Sequence, residues 1–260
     1  MYVTNGGVRI HYEIEGAGPA IVLHTGAGGD LRICSDAGYV AGLPGLRKIM
    51  IDQRGRGLSD RPQTMESHRM EYFVSDICAV FDDAEVKAAG FFGYSNGAVV
   101  GVAIGSAHPT RLKSLVGIGS LPYQNFTDLP KPNDPKAEVE RVVAAGGVRA
   151  DVTLHMERSK DRFPVAIEKN VLDGDPLMYA LDDLAWNEWH GPLALYPIFQ
   201  IPVLMVAGEL EDSKRQTEES ITKLPHGRLV RIPGIGHLSA FYRSDLVLPH
   251  VLPFFRATLL

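Results

Sequence analysis

Cysteine is scarce in this sequence. There are two in 260 residues, Cys34 and Cys78, with no CxxC spacing and no clustered histidine. That excludes a disulfide framework and argues against a thiolate metal site, so a reducing compartment is expected. Long apolar runs are also missing: none approaches the roughly 18 residues that a membrane span requires. The N-terminal stretch MYVTNGGVRIHYEIEG alternates like a strand and does not place a basic segment before an apolar one. No secretory signal is therefore expected, and a cytoplasmic location is. Basic charge is not in excess, with 26 Lys and Arg against 31 Asp and Glu for a net charge of −5. Nucleic-acid binding has no electrostatic footprint here. The single RGRG at 54–57 falls where a strand gives way to a turn. Repeats and low-complexity segments are absent as well.

What is present is an alternation. The runs AIVLHT (20–25), RKIMID (47–52), AAGFFGY (88–94), LKSLVGIG (112–119), IPVLMVAG (201–208) and RLVRIPG (228–234) are short and almost continuously apolar. Such runs suit strands covered on both faces, as in a parallel sheet. Helical patterns over about 66–86, 96–107, 213–224 and 240–257 lie between or after them, and VRIHYEIEG reads as an antiparallel leading strand. The expected fold class is α/β, a doubly wound and mostly parallel sheet. Residues 121–200 break the rhythm, with a Pro-rich loop followed by helical segments at KAEVERVVAAG and PLMYALDDLAWNEW. We expect a core from 1–120 and 201–260 with a helical cap from 121–200. The cap segment holds 13 acidic and 8 basic residues, so it carries the whole net charge, while the 18 acidic and 18 basic residues elsewhere cancel.

The chemistry is concentrated at FFGYSNGAVV (91–100). A buried strand runs into Ser95 and a small-residue helix begins directly after it. So abrupt a turn forces Ser95 into a strained backbone conformation with its side chain raised above the sheet, and Gly93 and Gly97 leave out side chains that would collide. The new helix brings its free N–H groups beside the serine oxygen, where negative charge is stabilised. A serine nucleophile needs a base, and the base an orienting acid. Of the nine histidines, His237 in PGIGHLSAFYRSD follows a strand through a Gly-rich loop, the placement that swings an imidazole over the sheet edge. His24 ends a strand and reads as structural. His11, His68, His155 and the others lie on helical or surface-like stretches. VLMVAGELEDSKR offers Glu209, Glu211 and Asp212 just past a strand end as acids. VLHTGAGGD (22–30) leaves its strand in a Gly-rich loop whose N–H groups suit a developing oxyanion. IDQRGRGLSDRP (51–62) reads as a structural turn beside it.

The ordered set LHTGAGG, DQRGRGLSDRP, GYSNGA, VLMVAGELE and GIGHLSAF resembles the α/β-hydrolase fold superfamily, in its single-domain serine-nucleophile branch. The resemblance covers nearly the whole chain and is weakest over 121–200, where that family carries a variable helical cap. It implies Ser95 as nucleophile, His237 as general base, and an oxyanion hole from the N–H groups of Asn96 and Gly26. Two departures stand out. His24–Thr25 replaces the usual His-Gly, and the usual Gly-x-x-Asp reads Gly208-Glu209-Leu210-Glu211. Glu211 is therefore the expected acid, with Asp212 as a register-shifted rival.

The expected activity is hydrolysis of a carboxylic ester or lactone of small to medium, mostly apolar, uncharged substrates, with no cofactor and no metal. Tyr123, Phe126, Trp186, Trp189 and Tyr196 are candidate pocket walls from the cap, and Thr25, Tyr94 and Leu238 flank the motifs on the core side. The partner is a small molecule, neither nucleic acid nor membrane, and the chain is a monomer or homodimer. The same triad also serves carbon–carbon bond hydrolases, thioesterases, perhydrolases and slow-turnover receptor-like proteins. Serine at the elbow, in place of aspartate, argues against epoxide opening or halide displacement.

Overall fold

The computed structural model describes residues 1–119, 131–159, 161–191, 193–211 and 214–260. Eight strands form one sheet: β1 (Tyr2–Asn5), β2 (Val8–Glu15), β3 (Ala20–His24), β4 (Arg47–Ile51), β5 (Ala89–Tyr94), β6 (Leu112–Ile118), β7 (Val203–Gly208) and β8 (Gly227–Ile232). Their spatial order is β1-β2-β4-β3-β5-β6-β7-β8. The first two pairings, β1 with β2 and β2 with β4, are antiparallel, and every later neighbour is parallel. The expected α/β class and mostly parallel sheet are therefore observed. One strand exceeds the expectation. The leading segment is a hairpin, turned at Gly6 and Gly7 (φ 57° and 80°) with Asn5 opposite Val8. The signal was the Asn-Gly-Gly tripeptide, which supplies the positive φ values a two-residue hairpin turn needs.

The apolar runs are explained by two-sided burial. Val22, Phe91, Leu115 and Met205 point into one core layer, together with Phe73, Ile77 and Phe81 of α3 (Met70–Asp83) and Val99, Val100 and Val102 of α4 (Asn96–Ala107). Their neighbours Leu23, Phe92, Val116 and Leu204 point the other way. There they meet Cys34 of α1 (Arg32–Asp36), Tyr39 of α2 (Tyr39–Gly42) and Val251 and Phe255 of the C-terminal helix.

Between β6 and β7 the described residues form the helices α5 (Pro135–Ala145), α6 (Val148–Ser159), α7 (Val165–Leu172) and α8 (Pro176–Trp186). Asp134 and Asp175 cap α5 and α8, each accepting two first-turn N–H groups. The polarity of 148–159 concealed α6 from the sequence, and α7 is only two turns long, with Ile167 and Val171 buried one turn apart. After β7 comes α9 (Lys214–Ile221), and after β8 come α10 (His237–Tyr242) and α11 (Ser244–Leu259). The single helix expected over 240–257 is thus two, separated at Arg243 (ψ 56°). Among the described residues no helix is long and apolar enough to cross a membrane.

Candidate active site

Ser95 sits between β5 and α4 with φ 50° and ψ −116°, one of two non-glycine residues with positive φ among those described. The backbone is tied on both sides: Ser95 N donates to Ile118 O at 2.8 Å, and Ser95 O accepts Ala98 N at 2.9 Å. The flanking glycines are demanded by contact. A Cβ on Gly93 would lie 2.4 Å from Gly97 C, and one on Gly97 would lie 2.6 Å from His24 O. Strand, turn and helix approach more closely than any side chain permits.

His237 opens α10 and reaches across to the elbow, with Nε2 3.1 Å from Ser95 Oγ. In the tautomer protonated at Nδ1, the serine hydroxyl donates to Nε2. On the other side Nδ1 stands 3.5 Å from Glu211 Oε2. That is longer than a hydrogen bond and within reach of an ion pair once the imidazole is protonated. Glu211 Oε1 accepts from Gly208 N at 2.7 Å, while Oε2 is buried without a hydrogen-bond partner among the described residues. A buried carboxylate oxygen so left is costly unless a cation faces it, and the His237 ring supplies that face. Asp212 lies outside the described residues, as do Tyr123 and Phe126.

The loop after β3 runs past the serine. Gly26 is so close that an added Cβ would meet the Tyr94 ring at 2.9 Å and Ser95 Cβ at 3.2 Å. Asn96 is the first residue of α4, and first-turn N–H groups have no intrahelical acceptor. The two expected oxyanion donors therefore flank the serine. Tyr94 packs against His237 at 5.3 Å between ring centroids, and burial holds its phenol well above the ordinary value.

A cavity of about 310 Å³ opens over this group, lined by Gly26, Ser95, Asn96 and His237 together with helices of the insertion. Of the expected pocket residues, Tyr94, Trp186 and Leu238 line it. Thr25 does not: its side chain is buried and donates to Gly29 O at 2.8 Å, bracing the loop. Trp189 packs against the core layer beside a groove with Arg69 instead, and Tyr196 is wholly buried in that layer. Phe163, Val171, Asp151, Tyr179 and His155, none of them expected from the sequence, also line the cavity. The His155 ring stands edge-on 6.1 Å from that of His237, and its Nε2 is buried without a partner among the described residues. His24 is structural, as expected. Burial, reinforced by Arg56, lowers its pKa to about 4. His11 and His68 are buried against Asp52 (2.8 Å) and Asp182 (2.6 Å).

The family description "alpha/beta hydrolase fold" matches residues 19–148. The AB hydrolase superfamily protein YfhM of Bacillus subtilis is 24% identical over 91% of either chain. Among solved structures, the enol-lactonase of Burkholderia xenovorans superposes with a TM-score of 0.76 at 23% identity, over 98% of this chain and all of that one. A thermophilic esterase of Thermogutta terrifontis gives 0.77 at 19% identity, over 100% and 97%.

Proposed function

The chain belongs to the alpha/beta hydrolase fold family and is a hydrolase; on that premise we propose that it cleaves carboxylic esters or lactones through an acyl-enzyme on Ser95. The observation that carries the proposal is the 3.1 Å contact between His237 Nε2 and the hydroxyl of a serine held at positive φ. Ser95 Oγ attacks the carbonyl carbon as its proton passes to Nε2. Glu211 faces the imidazolium so formed, and the N–H groups of Asn96 and Gly26 take the charge on the carbonyl oxygen. Collapse of the tetrahedral species expels the alkoxide, which leaves with the proton from Nε2. Water then repeats the cycle in reverse, so that ester and water become acid and alcohol. Fixed donors of this kind are worth on the order of 3 kcal/mol each in the barrier.

The cavity favours uncharged acyl groups. Val152, Phe163, Trp186 and Leu238 supply apolar wall, while Asp151 and Asp183 set negative charge along the cap side, which repels anionic substrates. A small-molecule substrate and no cofactor complete the reading. Turnover of a p-nitrophenyl ester series tests it. Acetate to hexanoate should show a burst of one nitrophenolate per chain, Ser95→Ala should lose at least about a thousandfold in kcat, and a hemisuccinate ester should be slower at low salt. Retention of wild-type turnover by Ser95→Ala would sink the proposal.

A further inference from the structure

We propose that Arg56 is a positioning residue for the oxyanion hole and that Asp182, on the cap helix α8, holds it in place; the inference rests on the serine-hydrolase reading above. Gly26 can approach Ser95 only because it lacks a Cβ, which would sit 2.9 Å from the Tyr94 ring. The same absence leaves its φ and ψ loosely restrained. A loop free to rotate about Gly26 turns its donor away from the developing charge, and a hole lowers the barrier only if its donors are fixed beforehand.

Thr25 Oγ1 braces the loop on the N–H side of Gly26 by donating to Gly29 O. Arg56 restrains the other side, the Gly26 carbonyl, so that both peptide planes flanking the glycine are held. Arg56 Nη1 donates to Gly26 O at 2.5 Å, and its Nη2 donates to Asp182 Oδ2 at 3.0 Å. The guanidinium is planar, so the two bonds fix the Gly26 carbonyl relative to α8. Asp182 is itself immobilised: Oδ2 also accepts Gln53 Nε2 at 3.0 Å, and Oδ1 meets His68 Nδ1 at 2.6 Å. All four side chains are buried, Arg56 at 6% and Asp182 at 4% exposure. Arg56 does not touch the cavity above Ser95. It lines an adjoining one of about 290 Å³ that shares Tyr179 and Asp182 with the first, so Arg56 reaches the reaction through the Gly26 carbonyl and through Asp182, without touching the reacting atoms itself. The contacts join residues 30 and 126 positions apart, tying the insertion into the site in a way no local motif displays.

The test compares Arg56→Met, Arg56→Lys and Asp182→Asn with the wild type, each checked for folding by circular dichroism and Tm. The readouts are kcat and KM on p-nitrophenyl acetate, and the inhibition constant of an alkyl trifluoromethyl ketone, which adds to a serine hydroxyl as a tetrahedral oxyanion. Arg56→Met should lose about 100-fold in kcat, with the ketone weakened by a similar factor and KM within threefold. Arg56→Lys should recover at least tenfold of that, and Asp182→Asn should fall in the same direction. A buried ion pair of merely structural value would lower Tm and leave the ketone affinity alone. The inference is overturned by a folded Arg56→Met whose kcat and ketone affinity stay within threefold of wild type, or by a loss carried in KM. If Arg56→Met does not fold, the same thresholds apply to Arg56→Gln, whose shorter neutral side chain cannot bridge Gly26 O and Asp182. Ser95→Ala run alongside separates the two failures. Wild-type turnover there removes the hydrolase reading and this inference together, whereas serine-dependent turnover indifferent to Arg56 removes this inference alone.

Discussion

Replacing Ser95 by glycine should give a more stable protein than replacing it by alanine, although neither can form an acyl-enzyme. Both variants lose the hydroxyl and its contact with His237 Nε2, so the comparison isolates the backbone. At φ 50° and ψ −116° an L-residue carries strain of about 1–3 kcal/mol. Relaxation is blocked because Ser95 N is bonded to Ile118 O and Ser95 O to Ala98 N. Glycine tolerates these angles but has more backbone freedom to lose on folding, about 0.5–1 kcal/mol. The difference leaves Ser95→Gly ahead by roughly 1 kcal/mol, a Tm shift of about 2–4 °C for a domain of this size. Urea titration followed by circular dichroism, with calorimetry in parallel, measures it. An alanine variant as stable as the glycine variant would show that the elbow stores no strain, and the reason offered for its geometry would be wrong.

Other consequences can be checked alongside. Glu211→Gln should cut kcat by on the order of 10³–10⁴ with KM little changed, because the imidazolium loses the buried carboxylate that faces it; a mild effect there and a severe one in Asp212→Asn would transfer the acid role. Asp161 Oδ2 accepts Leu238 N and Ser239 N at 2.8 and 3.0 Å, capping the helix that begins with His237. Asp161→Ala should cost about 1 kcal/mol of stability and lower kcat, with partial recovery in Asp161→Asn. A kcat equal to wild type would remove Asp161 from the account of the site. The lowered pKa of His24, about 4 from burial and the nearby Arg56, sets an acid limb. The unfolded chain binds more protons than the folded one between that value and the ordinary histidine value, so stability falls as pH drops through this window. Between pH 7 and pH 5 the wild type should lose about 2 kcal/mol more than His24→Gln, as read from urea midpoints. Parallel pH profiles would contradict it.

Much of the architecture was legible because its causes are local. Continuous apolar runs such as FFGY and LMVAG mark strands buried on both faces, and the glycines around Ser95 mark a turn that no side chain fits. His237 and Glu211 were legible because each follows a strand end in a short loop, and the sheet brings such ends together. What escaped depends on distance in sequence. Arg56 reads as part of a turn until Asp182 and Gly26 are seen on either side of it, and Asp161 reads as one acid among thirteen in the insertion until its carboxylate is found capping α10. His155 lies on a polar stretch with little amphipathic pattern, so nothing in its neighbours announces that it faces His237. Trp189 and Tyr196 err the other way. Aromatic residues suit a pocket and a core layer equally, and here packing on the sheet took both.

The most direct measurement is intact mass after incubation with a fluorophosphonate, on the wild type and on Ser95→Ala. The account predicts one phosphonyl adduct per chain in the wild type, located on Ser95 by peptide mapping, and none in Ser95→Ala. A folded wild-type chain that stays unlabelled, or an adduct that persists in Ser95→Ala, would contradict it.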